Sequence, residues 1–451
     1  MFMENLDSTI IATSLPAIAV DLNEDPISLK LALTSYLLSL AVFIPASGWA
    51  ADRYGTRTVF RAAIAVFTLG SILCGLSSSL PQFIGARIVQ GMGGAMMVPV
   101  GRLIVYRSVD RADLVRALAY LSVPSLIGPV LGPPIGGFIT TYFHWRWIFW
   151  LNVPIGVLGM IFATRYVEQF VADRRARLDL AGFALVGFGL SAVIFGFTIA
   201  GRGFVGPLAN AALIGAGALA LAAYVAYARR TPHAIVDLSL MRIPTFRASV
   251  TGGFVFRIGV GAMPFLLPLL LQLGFGLTPF QSGLLTFASS AGALLMKTTA
   301  GPILGWGGFR RVMTVNAVAS AAMLAACGLF RPDTPHAIIL LTLLAGGFLR
   351  SLQFTAINAL AFADIPNERL SKATSLSGTM QQLSLTSGVA VGAAVLETTR
   401  FLQGDPTLEA RDFAPAFFVV AAISALSVIA FARMSPDAAA SLSRGRRQAG
   451  D

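Results

Sequence analysis

Charged residues are scarce in this sequence. They make up 12% of its 451 residues, whereas a soluble domain usually has about 25%. So few charges cannot cover the water-facing surface of a chain that is 56% hydrophobic. The composition therefore excludes an ordinary soluble protein and indicates one that lies in a bilayer.

The residue types of common catalytic and metal sites are also few. Cys74 and Cys327 are too few for a disulfide framework or a zinc site, and both lie in apolar stretches, where we expect buried small side chains. The three histidines have no metal-ligand spacing, and no phosphate-binding loop of the G-x-x-x-x-G-K type is present. We therefore expect no metal, no cofactor, no ATP hydrolysis and no enzymatic activity.

Apolar blocks of roughly twenty residues, the length that crosses ~30 Å of hydrocarbon, recur along the chain. They predict an all-α polytopic membrane protein with about fourteen transmembrane helices. The predicted helices span 1–21, 28–50, 58–79, 82–106, 114–140, 147–165, 180–200, 206–228, 248–273, 279–304, 311–330, 335–360, 373–398 and 413–433.

The net charge of +12 is explained by the orientation of these helices rather than by nucleic-acid binding. If the N-terminus is cytoplasmic, 21 of the 33 lysines and arginines fall in inner loops or the tail, and 6 fall in outer loops. Cytoplasmic loops of membrane proteins carry such an excess. We expect a multi-pass protein of the bacterial cytoplasmic membrane, with both termini in the cytoplasm and no nucleic-acid partner.

Two loops, one in each half of the chain, share a pattern of glycine and arginine. The same spacing links two triplets of residues: Gly48, Gly55 and Arg57 in the first loop, and Gly301, Gly308 and Arg310 in the second. Many secondary transporters are built from duplicated halves. The pattern therefore predicts an internal repeat.

The first of these loops reads GWAADRYGTR, which resembles the G-x-L-A-D-R-x-G-R-K signature of the major facilitator superfamily. Ala51 and Thr56 depart from that signature. The resemblance implies a conformational role for five residues: Gly48, Asp52, Arg53, Gly55 and Arg57. The alternative is a solvated basic loop without such a role.

The fourth predicted helix contains Arg87 and Gln90 in the stretch RIVQGMGGA, which resembles the R-x-x-Q-G-x-G-x-A motif of the same family. An arginine inside the membrane usually faces a cavity or an acidic partner. Arg87 is therefore predicted to take part in proton coupling, and Gln90 to line the substrate path. A structural ion pair, or a side chain that extends to the outer surface, is the alternative for Arg87.

The fifth predicted helix reads GPVLGPPIGG and resembles the antiporter motif G-P-x-x-G-G of drug exporters. Glycine at every fourth position permits close helix packing, and proline removes backbone donors and kinks the helix. The pattern predicts a hinge, with which a purely structural kink is compatible. The motif residues are Gly128, Pro129, Gly132, Pro133, Gly136 and Gly137.

The first predicted helix contains LDSTIIATSLP, which resembles the first-helix signature of the fourteen-helix drug:proton antiporters. An acid within a transmembrane helix is a functional candidate. Asp7 is therefore predicted to bind and release a proton, with a structural hydrogen-bonding role as the alternative. Residues 1–21 would barely span a bilayer, so we expect either a shortened first helix or a true start further upstream.

The membrane-embedded charges of the second half are predicted to be basic, namely Arg257, Lys297 and Arg350. If they face a cavity, they favour an anionic substrate or pair with Asp7; otherwise they reach the interface. Asn358 and Gln381 are predicted to line the substrate path, with hydrogen bonding between helices as the alternative.

The resemblance to the drug:proton antiporters extends over nearly the whole chain. It implies a major facilitator fold with two six-helix bundles at 1–165 and 248–433, a two-helix insertion at 166–247 and a basic cytoplasmic tail at 434–451. It also implies proton-coupled efflux of drugs or other amphipathic small molecules by alternating access, with protons, a small-molecule substrate and the bilayer as partners of a monomer. The alternatives are a transporter of a specific metabolite or anionic compound, and a non-transporting membrane sensor.

Overall fold

The computed structural model describes residues 2–108, 114–171, 178–199, 206–231, 234–366, 369–404 and 408–435. Within these ranges the regular structure is helical, and each of the fourteen predicted segments coincides with a helix. The predicted count is compatible with the structure, in which some segments are divided by short breaks. The predicted basic tail lies outside the described residues from position 436 onward.

The first eight helices are α1 (Phe2–Ile10 and Leu15–Asp21), α2 (Lys30–Tyr54), α3 (Thr56–Leu76), α4 (Leu80–Ser108), α5 (Leu114–Tyr142), α6 (Trp147–Trp150 and Asn152–Tyr166), α7 (Leu180–Ile199) and α8 (Pro207–Ala228). The remaining helices are α9 (Pro244–Leu269), α10 (Pro279–Gly307), α11 (Phe309–Cys327), α12 (His336–Phe362), α13 (Leu370–Gln403) and α14 (Phe413–Ala425 and Ser427–Ala432).

The outer surface of these helices is apolar. Among the described residues, nine helices are long and apolar enough to cross a membrane by length and composition. Large side chains such as Phe162, Leu219 and Phe401 are more than half exposed. A soluble protein rarely exposes so much apolar area, whereas lipid solvates it, so the chain is a multi-pass membrane protein.

The chain divides into two compact units. The first comprises Met1–Leu238 and Thr374–Thr386, and the second comprises Ser239–Ala373 and Ser387–Asp451. In the first unit, α4 packs against α2 and α3, and α7 packs against α2 and α8. In the second unit, α12 packs against α9, α10 and α11, and α14 packs against α9 and α11.

Two glycines form equivalent helix junctions, one in each unit. Gly55 joins α2 to α3 with φ 89° and ψ 148°, and Gly308 joins α10 to α11 with φ 68° and ψ 153°. This backbone region is essentially restricted to glycine, because a Cβ atom would clash. The matched conformations support the internal repeat that the sequence spacing predicts.

Helix α5 packs directly on the backbone of α1 through the glycines of its motif. A Cβ atom at Gly128 would lie 2.8 Å from the backbone nitrogen of Leu6. One at Gly136 would collide with the carbonyl oxygen of Ile10, and Gly132 is equally confined. Glycine at every fourth position is therefore what allows α5 to approach α1 so closely.

Substitution of Gly136 by alanine should destabilise this contact. A methyl group placed against the carbonyl of Ile10 forces α1 and α5 apart, which we expect to cost about 1–3 kcal/mol and to lower the thermal midpoint by several degrees. Gly85→Ala in α4 is the matched control, because a Cβ atom there meets nothing within 4 Å. Thermal unfolding in detergent, followed by tryptophan fluorescence, would contradict the packing argument if both variants unfolded at the same temperature.

Candidate functional site

Asp7 on α1 and Arg87 on α4 form a fully buried ion pair. Nη1 of Arg87 lies 2.7 Å from Oδ2 of Asp7, and neither side chain is exposed. Each charge alone would be costly in a medium of low dielectric constant, and the pair makes both tolerable. The interpretation of Arg87 as a side chain that extends to the outer surface is therefore wrong.

Both oxygens of the Asp7 carboxylate accept hydrogen bonds. Besides Arg87, Nε2 of Gln90 donates to Oδ1 at 2.8 Å and Nδ2 of Asn152 donates to the same atom at 2.9 Å. Oε1 of Gln90 in turn accepts from Nη1 of Arg87 at 2.6 Å. Gln90 thus lies within the ion-pair network. A proton that binds Asp7 must weaken at least one of these contacts.

The network extends to three further helices, α2, α3 and α6. Nδ2 of Asn152 on α6 also donates to Oγ of Ser71 on α3 at 2.9 Å. The guanidinium of Arg87 lies over the ring of Tyr36 on α2, with Cζ 4.1 Å from the ring centroid, a cation–π contact. Neither Asn152 nor Ser71 was predicted, because uncharged polar residues in membrane helices carry no distinctive sequence signal.

Glu4 is a second buried acid that the sequence analysis did not assign to the site. It lies one turn before Asp7 on α1, is 8% exposed, and its Oε2 has no hydrogen-bond partner among the described residues. Asp7, Arg102 and Tyr36 are the ionisable side chains close enough to act on it, and Arg102 itself is exposed. The three-residue spacing, which places both acids on adjacent turns, is the signal that could have identified it.

The loop between α2 and α3 is fixed by the chain that follows α6. The backbone nitrogen of Thr56 donates to the carbonyl oxygen of Phe170 at 3.0 Å, and the nitrogen of Phe170 donates to Oγ1 of Thr56 at 3.2 Å. Nε2 of Gln169 donates to the carbonyl oxygen of Tyr54 at 3.0 Å. Thr56, which departs from the family signature, thus supplies part of the contact, and the loop is not merely solvated.

The residues of the loop signature all lie at this junction. Gly55 is buried, and four others are half-buried: Gly48, Asp52, Arg53 and Arg57. The guanidinium of Arg53 lies 5.8 Å from the ring centroid of Tyr54. This placement is compatible with a conformational role.

The cations of the second unit have neutral partners. Nη2 of Arg257, which is 2% exposed, donates to Oδ1 of Asn358 at 3.3 Å. Nη2 of Arg350 donates to Oγ of Ser289 at 3.1 Å, whereas Lys297 is exposed and bonds to a threonine hydroxyl. Within the described ranges, none of these cations forms an ion pair with an acid, and the partner of Asp7 is Arg87.

The remaining residue predicted for the substrate path, Gln381, is half-buried on α13 in the segment Thr374–Thr386. Cys74 and Cys327 are free and buried, as predicted. The described histidines, His144 and His336, belong to no group that could hold a metal ion, and His233 lies outside the described residues.

Comparisons with known proteins agree with this architecture. The family model of the Major Facilitator Superfamily matches residues 1–175 and 250–450. The multidrug resistance protein MdtD of Salmonella typhimurium is 36% identical over 453 residues, covering 99% of this chain and 95% of MdtD.

Solved structures show the same fold at low sequence identity. The D-xylose-proton symporter superposes with a TM-score of 0.69 at 13% identity, covering 96% of this chain and 94% of its own. A mutant of the nucleoside transporter NupG superposes with a TM-score of 0.64 at 14% identity, covering 95% and 97%.

The energetic coupling of Asp7 and Arg87 can be measured with a double-mutant cycle. Arg87→Leu leaves a buried carboxylate without its cation, which we expect to cost about 3–5 kcal/mol. Adding Asp7→Asn should recover much of that loss, because no unpaired charge then remains. Arg311→Leu, at an exposed position of α11, is the control. Thermal unfolding in detergent that showed simply additive effects of the two substitutions would contradict a coupled pair.

Proposed function

Because this chain belongs to the major facilitator superfamily, we propose that it is a secondary transporter that exports drugs and other amphipathic small molecules in exchange for protons. The identity to MdtD over nearly the whole of both chains supports efflux. The observation that carries proton coupling is the pair of buried acids on α1: Asp7 is ion-paired with Arg87, whereas Glu4 forms no ion pair with a described side chain. Buried acids of this kind mark proton pathways in transporters.

The two acids are suited to different tasks. Asp7 accepts three hydrogen bonds and one of them comes from Arg87, so its negative charge is held in place. Glu4 forms no ion pair with a described side chain, and we assign to it the exchangeable proton. When Glu4 releases that proton, a second negative charge arises one turn from Asp7, and the two carboxylates repel each other. This repulsion weakens the Asp7–Arg87 arrangement and favours a different position of α1.

The antiporter motif is placed to transmit such a movement. Its glycines hold α5 against the backbone of α1, so the two helices respond together. We assign the hinge role to Gly128, Pro129, Gly132, Pro133, Gly136 and Gly137. The loop from Gly48 to Arg57, fixed by residues 167–171, would stabilise one of the two access states.

The proposed architecture follows the family. Helices α1–α6 and α9–α14 form the two six-helix bundles, and α7 with α8 is the insertion. Both termini lie in the cytoplasm of a bacterial cell, and the protein acts as a monomer in the cytoplasmic membrane. One proton that moves through 100 mV supplies about 2.3 kcal/mol, which sustains a gradient of an uncharged substrate of about fortyfold.

Transport by inside-out proteoliposomes tests whether Glu4 and Asp7 have the different roles proposed for them. With ethidium as the probe, the wild type should release protons on substrate addition and accumulate ethidium against its gradient. Glu4→Gln should abolish proton release and slow uphill transport at least about tenfold. It should leave the thermal midpoint nearly unchanged, because Oε2 of Glu4 has no hydrogen-bond partner among the described residues. Asp7→Asn should slow transport and also shift the midpoint, because it alters the buried network.

Glu24→Gln makes the same chemical change in the connection after α1 and should behave as the wild type. Proton release that persisted in Glu4→Gln would remove Glu4 from the mechanism. A wild type that moved no compound of a cationic and anionic panel would leave the sensor as the better interpretation.

A further inference from the structure

The second unit contains a small cavity of about 40 Å³ among α9, α10, α11, α12 and α14. A water molecule needs roughly 10–15 Å³ of such space, so the cavity holds a group of a few heavy atoms, such as a carboxylate, and a larger body must displace the side chains around it. Its walls are mostly apolar and flexible, and include Met263, Met323, Leu324 and Leu343. Methionine-rich walls adapt to ligands of different shape.

Arg350 supplies the charge of this cavity. Its guanidinium has five N–H donors, and Nη2 donates to the neutral hydroxyl of Ser289 at 3.1 Å. No acidic residue lines the cavity, and within the described part of the unit no acid pairs with Arg350. A cation inside the membrane without a counter-ion is energetically costly, so an anion that reaches it gains a charge-assisted hydrogen bond.

A second polar group faces the same space. Ser320 lines the cavity and is 9% exposed, and its hydroxyl has no hydrogen-bond partner in the part of the chain that the structure describes. A buried hydroxyl without a partner is unusual and indicates a group that a ligand can satisfy. Arg257, which is more deeply buried than Arg350, does not line the cavity; its guanidinium lies against the ring of Phe354, with Cζ 5.1 Å from the centroid.

We propose that this cavity is a binding site for a monoanion with a compact apolar body. The carboxylate or sulfonate of the ligand would accept hydrogen bonds from Arg350 and Ser320, and its body would lie against the methionine and leucine walls. The ligand comes either from the aqueous phase or from the bilayer, where a lipid headgroup carries the anion. The site lies wholly within one unit and depends on neither acid of α1, so it does not rest on proton exchange.

Equilibrium binding of tritiated 2-naphthoate to the protein in phosphatidylcholine nanodiscs tests the charge. The wild type should bind naphthoate at least about tenfold more tightly than the neutral competitor 2-naphthamide, as a charge-assisted hydrogen bond predicts. Arg350→Gln should lose that preference. Arg331→Gln, the same substitution at an exposed loop position, should retain it. A preference for the anion that survived in Arg350→Gln would overturn the proposal.

A second pair of variants tests the cavity itself. A Cβ atom at Gly346 would meet Cβ of Met323 at 3.4 Å, an ordinary contact, so Gly346→Ala should fold and bind nearly as the wild type does. Gly346→Val should fill the space and weaken naphthoate and naphthamide alike, at an unchanged thermal midpoint. Unaltered binding by a folded Gly346→Val protein would place the anion elsewhere and overturn the assignment.

The source of the anion is decided by lipid composition. Nanodiscs enriched in phosphatidylglycerol should lower naphthoate binding in competition if a lipid headgroup occupies the site, and should leave it unchanged if the ligand is a soluble anion. Both results support the anion site. Because no gradient is present, the measurement also gives the same answer whether or not the protein exchanges protons.

Discussion

The ion pair between Asp7 and Arg87 is the interaction on which the N-terminal unit depends. Neither side chain touches solvent, so the pair operates in a medium where unpaired charge costs several kcal/mol. Its hydrogen bonds reach α4 through Gln90 and α6 through Asn152. The position of α1 is therefore determined by polar contacts whose strength changes with the charge of the site, unlike apolar packing, which is insensitive to protonation.

The local structure of α1 makes it responsive to such a change. A 3-10 turn at Ile11–Ser14 divides it, and so it has fewer regular backbone hydrogen bonds than a continuous helix. Close packing by the glycines of α5 compensates on one face, and the ion-pair network does so on another. A helix held mainly by its neighbours moves when one of those contacts weakens, whereas a long continuous helix resists.

Sequence patterns predicted the fold well because bilayer thickness sets the length of each apolar segment. Asp7 and Arg87 were also identified singly, since any charge within such a segment is conspicuous. Their pairing could not be predicted, because it depends on which faces of α1 and α4 meet. Asn152 and Ser71 were missed for a related reason: neutral polar side chains are common between membrane helices. Thr56 differs from the residue usual in the family signature, and the sequence alone therefore gives no reason to expect a role for it. In the structure its hydroxyl accepts a hydrogen bond from the backbone nitrogen of Phe170.

The two units have the same glycine conformation at one helix junction, but their arginines have different kinds of partner. Gly55 and Gly308 adopt nearly the same rare conformation, yet the first unit pairs its buried arginine with an acid while the second leaves Arg257 and Arg350 with neutral partners. A paired charge can be switched by a proton, since its partner is an acid. An unpaired cation has no acid to protonate, and the species that can neutralise it is an anion from outside. The charge arrangement of the first unit is thus the one that the proposed proton coupling requires, and that of the second is the one that the proposed anion site requires.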